Sequence, residues 1–465
     1  MERDFTVSRN LKIFWVFRLE AGRKMYLFGK HLAIGRRIVY DKRNLGEDKS
    51  NKWKKGTQMK RILGWAMALL MCTSFAAAAA EPPALQSRQA VLYCAENGQV
   101  LFDQEMDTPA HPASITKLMT ALLVLESGID LDQTVTVSHD AVYSIERGST
   151  HIALDEGEQV TLEQMMYAML LTSANDAANV LAEAVDGTQQ AFAKHMTKRA
   201  KELGCRHTNF VNAHGLDDRL HYTTAYDMAC ITRELLQYDT FLTIAGTQVY
   251  TMPPTNKQSE PRSFWNKQNI LNPQSEYYDP SAIAGKNGYT SQAGHTLVTV
   301  ARRDGVTLIA VVLGDDKTGK LVDTTALFAY GYDQFHKTEL SAQTIVQKAE
   351  EAGLSPDADA VQAEMILLPK DKKPSALTYT AQDDALLVDA GAGDPLLLEV
   401  PQDTVPTGAA QTEPKEDGHP VPGTTEKAFW IGAGVVGGLV VLVAGLSYRR
   451  ARIRKRRRIS WMQRR

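Results

Sequence analysis

The chain has 465 residues, 44% of them apolar, with 54 acidic against 52 basic residues and a net charge of −2. That is length enough for two domains or more around a sizeable core. The balance is uneven, with about +9 on residues 1–58, about +2 on 59–80 and about +10 on 449–465, leaving about −23 on the body between them. Affinity for a phosphate backbone comes from clustered Lys and Arg, so an acidic body with basic ends excludes nucleic acid as a partner.

Residues 1–58 are basic, mixed in pattern and set apart as a doubtful N-terminal extension. From Met59, the run Met59-Lys60-Arg61 leads into an apolar stretch from Ile62 to Phe75 and then Ala76 through Ala80. A short basic start, an apolar segment too short to span comfortably and a small-residue end describe a secretory signal over 59–80, cut after Ala80; a membrane anchor is the competing reading. Cys72 follows the bulky Met71, which argues against lipidation there. The remaining Cys94, Cys205 and Cys230 are too few and too odd in number for a disulfide framework, although a single Cys205–Cys230 bridge stays open. No His or Cys cluster has metal-ligand spacing. His207, His214 and His221 lie seven apart in a loop-like region and read as structural, and no cofactor or metal is implied.

Ala90 to Cys94, the Glu96-Asn97-Gly98 turn and Gln99 to Phe102 read as a hairpin. After the Pro112 breaker, Ile115, Leu118, Met119 and Leu122 recur at the helical period, so Ser114 is expected to open a buried helix. Ser114 and Lys117, three apart, then share one face with Cβ atoms about 5–6 Å apart. Serine needs a proton acceptor to act as a nucleophile. Lysine can serve if its pKa falls from about 10.4 toward 7, which burial and a neighbouring cation both favour.

The helical stretch Thr161 to Ala184 is interrupted by Leu171-Thr172-Ser173-Ala174-Asn175-Asp176, where Ser173 and Asn175 set a hydroxyl beside an amide that a site could aim at a peptide group. Further helices are expected between 190 and 240, around Val211 to Asp217 and His221 to Asp227. Next, Ala284-Gly285-Lys286-Asn287-Gly288-Tyr289-Thr290 precedes two strand-like runs, His295 to Ala301 and Val306 to Leu313, with Arg302-Arg303-Asp304-Gly305 turning between them. Lys286 then sits on the strand that enters this hairpin, and a helix over 324–335 closes a domain of residues 81–338.

Short strand-like segments such as Met365 to Leu368 and Ala385 to Val388 suggest a small β-rich domain over 339–400. Residues 401–427, rich in Pro, Thr and Glu, read as a flexible linker. About 20 apolar residues over 428–447 suffice for a transmembrane helix. The dense Arg block of the tail 448–465 puts the C-terminus in the cytoplasm and the body on the outer face of the cell membrane. Gly434 and Gly438 have the spacing at which such helices pair, which leaves a dimer open but unsupported.

Together, Ser114-x-x-Lys117, Ser173-x-Asn175 and Lys286-x-Gly288, in that order, resemble the three motifs of the penicillin-binding proteins and serine β-lactamases. Their surroundings, Pro112 to Lys117, Leu171 to Ala178 and Tyr222 to Asp227, resemble the low-molecular-mass D-alanyl-D-alanine carboxypeptidases over about Ala90 to Phe335. The resemblance implies a mixed α/β (α+β) catalytic domain, an antiparallel sheet flanked by helices, with a small β domain after it. It implies that Ser114 attacks the terminal D-Ala-D-Ala bond of a peptidoglycan stem peptide, that Lys117 takes its proton, and that Ser173 and Asn175 serve the leaving amine and the substrate amide. Lys286 would bind the substrate carboxylate and lower the pKa of Lys117, Asn287 and Gly288 would line the same site, and the backbone N–H groups of Ser114 and Tyr289 would form the oxyanion hole. β-Lactams would acylate the enzyme as inhibitors.

The departure is Asn287, where the family carries a hydroxyl. A catalytically weakened peptidoglycan-binding relative is therefore one alternative. A β-lactamase is the other, although no Glu-x-x-Leu-Asn segment of the class A type is present. Lys317-Thr318-Gly319 spells the family's usual third tripeptide, but it follows a polar turn and is expected in a surface loop.

Overall fold

The computed structural model describes residues 81–402, together with the backbone of two paired strands, Trp15–Glu20 and Lys24–Gly29. The chain divides into two units, Met1–Asp403 and Thr404–Arg465. The signal segment, nearly all of the linker, the expected membrane span and the basic tail lie outside the described residues. Among the described residues no helix is long and apolar enough to cross a membrane.

Five strands form the central sheet: β1 (Gln89–Cys94), β2 (Val100–Gln104), β3 (Ala282–Thr290), β4 (Gly294–Arg303) and β5 (Val306–Asp315). They run in the order β2-β1-β5-β4-β3 with every neighbouring pair antiparallel. Val306 to Leu313 is apolar apart from one Thr and wholly buried, as a central strand must be when both faces of its sheet are covered. The two-residue alternation of a strand then divides the core. Val91, Tyr93, Ile309 and Val311 face one cluster, while Leu92, Leu308, Ala310 and Val312 face a second on the opposite side.

The first face is covered by helices α1 (Lys117–Glu126), α2 (Leu162–Tyr167), α3 (Asn175–Asp186), α4 (Gln189–Glu202) and α5 (Ala225–Leu235). The second is covered by α6 (Gly319–Gln334), which packs through Leu327 and Phe328. A Cβ at Gly331 of α6 would lie 2.6 Å from Leu308 and 2.8 Å from Leu92, so glycine lets the helix settle onto the sheet. The closing helix begins five residues before the expected 324, because the Asp316 carboxylate accepts from the Thr318 and Gly319 N–H groups at 2.8 and 2.6 Å and starts it there.

The helices expected around 211–217 and 221–227 resolve differently. Residues 206–224 form an irregular loop and α5 starts only at Ala225. Asn212 competes with helix formation by accepting from the His214 and Gly215 N–H groups at 3.2 and 2.7 Å. Gly215 then takes φ +89°. Thr224 caps α5, and the buried Asp227 ties the loop down by accepting from Arg206 N, His207 N and Thr208 Oγ1 at 2.7–2.8 Å. The Tyr222 to Asp227 stretch is thus an anchoring device. Cys94, Cys205 and Cys230 are free thiols in this structure.

The small domain begins with strand Phe335–Leu340, continues into the amphipathic helix Ala342–Glu351 and adds strands Glu364–Pro369, Thr378–Gln382, Ala385–Asp389 and Leu396–Glu399. It is not purely β. Its helix closes a separate small core with Ile345 and Ala349 against Ile366, Leu386 and Val388. Gln99 of the catalytic domain binds the main chain of Leu367 in both directions at 2.8 Å, as a strand partner would.

Candidate active site

Ser114 does not open an α-helix directly. It sits in a single 3₁₀ turn, Ala113–Thr116, and Lys117 is the first residue of α1. The turn is clamped from several sides. Thr296 Oγ1 of β4 donates to Pro112 O at 2.9 Å, Thr116 Oγ1 meets His221 Nε2 at 2.8 Å, and Thr120 Oγ1 donates to Ala213 O at 2.6 Å. Ala113 is held at φ +51°, and a Cβ on Gly215 would lie only 1.8 Å from the Ala113 carbonyl oxygen. Backbone strain of this kind persists only where the surroundings over-determine it. Here the 206–224 loop and β4 do so, and they fix the nucleophile between them.

Lys117 is fully buried, and its Nζ reaches Ser114 Oγ at 3.1 Å, Asn175 Oδ1 at 2.7 Å and His214 O at 2.7 Å. Burial first, and the Lys286 ammonium second, hold its pKa well below the usual lysine range, against the opposing charge of Asp176. As a neutral amine it keeps two donors for Asn175 and His214 and turns its lone pair to Ser114, the arrangement a general base needs.

Ser173 and Asn175 reach the same point through irregular backbone. A π-helical turn, Ala168–Thr172, ends in Ser173 at φ +68°, and α3 restarts at Asn175. Such turns are concentrated at functional sites. Ser173 Oγ is buried without a hydrogen-bond partner among the described residues, leaving a hydroxyl for a substrate to engage. Asp176, which follows Asn175, accepts from Ile152 N and Leu154 N and so ties the start of α3 to the 152–154 backbone.

The edge strand β3 completes the site. Lys286 is 1% exposed, with Nζ 2.8 Å from Asn287 O and 3.4 Å from Asn287 Oδ1. Burial, then the charges of Lys267 and Lys320, push its pKa down to about 7. At Gly288 a Cβ would lie 2.7 Å from Ser114 N and 2.5 Å from Thr296 Oγ1, so only glycine lets β3 pass against the serine. The Tyr289 side chain is exposed and stacks on His295 at 4.4 Å. A cavity of about 460 Å³ opens here, lined by Ser114, Ser173, Asn287, Gly288 and Tyr289 together with Lys267, Lys317 and Lys320. A larger hollow of about 560 Å³ lies between β2 and the small domain and contains none of these residues.

All eight sequence-predicted residues therefore meet around one cavity or directly behind its wall. Sequence reasoning missed the His214 carbonyl, Asp176, Lys267 and Lys320. Lys267 Nζ donates to Thr172 O at 2.9 Å, and Lys320 is only 7% exposed. The expected surface position of Lys317 holds, since it is exposed, but its turn also borders the cavity. A lysine immediately after the Lys317-Thr318-Gly319 tripeptide was the available signal, and its burial at the cavity shared with Ser114 is visible only in the fold.

The profile of the D-alanyl-D-alanine carboxypeptidase family matches residues 76–317, just over half of the chain. D-alanyl-D-alanine carboxypeptidase DacF of Bacillus subtilis is 32% identical over 311 residues, which cover 62% of this chain and 76% of the relative. D-alanyl-D-alanine carboxypeptidase DacC of Escherichia coli is also 32% identical, over 52% of this chain and 60% of its own length. Among solved structures, the Streptomyces K15 DD-transpeptidase superposes with a TM-score of 0.51 at 26% identity, covering 55% of this chain and all of that one. With the serine, lysine and amide placed as described, the chain belongs to the D-alanyl-D-alanine carboxypeptidase family.

Proposed function

We propose that this serine D-Ala-D-Ala carboxypeptidase works through an acyl-enzyme on Ser114. Lys117 as a neutral amine takes the Oγ proton while Oγ adds to the penultimate D-Ala carbonyl carbon. The resulting oxyanion is received by the N–H groups of Ser114 and Tyr289, where losing one donor typically costs about 10²–10³ in rate. The C–N bond then breaks, the proton passes through Ser173 to the leaving amine, and D-alanine departs. Water hydrolyses the ester and restores the serine. Asn175 orients Lys117 and holds the substrate amide. Lys286 and Lys320 bind the free carboxylate of the leaving D-alanine.

The observation that carries this reading is the buried Lys117 amine in reach of Ser114, Asn175 and His214 O at once. The substrate is the stem peptide of peptidoglycan, and β-lactams acylate the same serine. We assign the body to the outer face of the cell membrane, exported by 59–80 and held by 428–447, on the sequence pattern. Fluorescent penicillin followed by D-alanine release from a pentapeptide tests the activity. Stable label with release supports it, rapid loss of label indicates a β-lactamase, and neither indicates a binding protein without turnover. Protease protection in intact spheroplasts tests the orientation.

A further inference from the structure

Gln268 is a buried side chain in the wall of the catalytic cavity, only 3% exposed. Its Nε2 is buried without a partner, and its Oε1 makes no hydrogen bond among the described residues either. A buried carboxamide left unbonded is costly unless a partner arrives from outside the chain. The backbone that carries it is fixed. Asn266 Nδ2 donates to Ala245 O and Thr247 O at 2.8 and 3.0 Å, Asn266 Oδ1 accepts from Gln268 N at 3.0 Å, and Gln268 O accepts from Leu271 N at 3.2 Å. The amide is thereby set against β3, with Nε2 3.2 Å from where a Gly285 Cβ would be. Strand alternation says what lies beside it. Gly285, Asn287 and Tyr289 point to one face of β3, and their ladder partners Thr299, Leu297 and His295 share that face. Leu297 belongs to the core that α6 covers, so this is the α6 side of the sheet, where Lys320 stands in the first turn of the helix and lines the cavity. Gln268 lies at the Gly285 end of the row. His295, stacked on Tyr289 at 4.4 Å and with its Nδ1 also unpartnered among the described residues, lies at the other end, and Asn287 is between them.

We propose that Gln268 is a specificity-determining residue, a neutral donor that joins Asn287 in binding the carboxylate of the leaving D-alanine beside Lys320. This rests on the reading that Lys320 binds that carboxylate. Positions two apart on a strand stand about 6.6–6.8 Å from each other on one face, a span that a carboxylate can bridge by accepting a hydrogen bond on each oxygen. Neither end of the Gln268 amide is bonded, so a half-turn about its last torsion breaks nothing and brings its two N–H donors to the cavity. Position 287 carries Asn where the family carries a hydroxyl, and a second carboxamide one pleat away supplies a directed donor. It does so without adding a further cation to a wall that already holds Lys267, Lys317 and Lys320.

The test uses the full chain as wild type, Gln268→Met and Gln268→Glu, and compares two substrates. One is an acylated Lys-D-Ala-D-Ala peptide, followed by release of D-alanine; the other is the same peptide as its C-terminal amide, which carries no carboxylate, followed by release of D-alanine amide. Both replacements keep the length and nearly the volume of glutamine, so packing is preserved. In Gln268→Met, kcat/KM for the acid should fall about tenfold, the loss of one hydrogen bond to a charged group, while kcat/KM for the amide stays within about twofold. In Gln268→Glu, where a like charge faces the carboxylate, the preference for acid over amide should shrink by about 10²-fold or more. An unchanged preference in both variants, or equal losses for acid and amide, would overturn the proposal. Wild-type protein that releases no D-alanine, or that does not prefer the acid, would instead bring down the reading of the carboxylate subsite, and this proposal with it.

Discussion

Gly288→Ala is the sharpest probe of how β3 is set against the nucleophile. The added Cβ would lie 2.5 Å from Thr296 Oγ1, 2.7 Å from Ser114 N and 3.0 Å from Ala113 Cβ, where ordinary contact begins at 3.4 Å. None of the three can give way easily. Thr296 is fully buried and bonded to Pro112 O, and Ala113 is held at φ +51° under Gly215. The strand edge must therefore retreat by roughly 0.7 Å from Ser114 N. A misplacement of about 1 Å can cost about 10²-fold in rate, and overpacking a site of this kind costs about 1–3 kcal/mol. We expect the second-order rate of acylation by fluorescent penicillin to fall by about 10²-fold or more, with the thermal midpoint lowered by a few degrees. An acylation rate within about threefold of wild type, at an unchanged midpoint, would refute the placement of β3 over Ser114 and with it the Tyr289 oxyanion donor.

Ser114→Ala should abolish penicillin labelling with little change in thermal midpoint, since the hydroxyl's one side-chain bond is to Lys117; an adduct mapped by mass spectrometry to Ser173 would reverse the assignment. Lys286→Ala should slow acylation by about 10²-fold or more, and Lys317→Ala by less than about threefold, because truncating a buried charge that binds a carboxylate costs about 2–5 kcal/mol while an exposed one costs little. Stability should respond to Lys286 with a definite sign. Its pKa falls from 10.5 to about 7 in the fold, so between those values the unfolded chain holds a proton that the folded chain has released, and stability rises with pH. Lys286→Met should therefore raise the thermal midpoint at pH 6.5 and do so less at pH 10, at the cost of activity; a lower midpoint at both pH values would count against a buried unpaired charge. Asp227→Ala should destabilise the chain by more than a single hydrogen bond, since Arg206 N, His207 N and Thr208 Oγ1 all lose their acceptor; chemical denaturation measures it.

Much of this enzyme is legible in one dimension, and the physical reason is locality. A helix puts Ser114 and Lys117 on one face whatever the rest of the chain does, and strand alternation with turn chemistry places Lys286 on the strand that enters the 294–315 hairpin. Polar residues between two apolar helical segments announced the Ser173–Asn175 break, although not that a π-turn and a left-handed serine make it. What depends on distant partners was not legible. The loop at 206–224 looked helical because propensity does not register Asn212 binding its own backbone or Asp227 pulling the chain back. The necessity of Gly288 and Gly215 is a matter of what stands opposite them, Ser114 and Ala113, far away in sequence. Lys320 and Lys317, alike in composition, differ because one is buried at the cavity wall and the other exposed at its rim. Charge type belongs to the sequence, whereas the burial that lowers Lys117 and the Lys286 and Lys267 charges that lower it further exist only after β3, α3 and the Lys267 loop have converged on it.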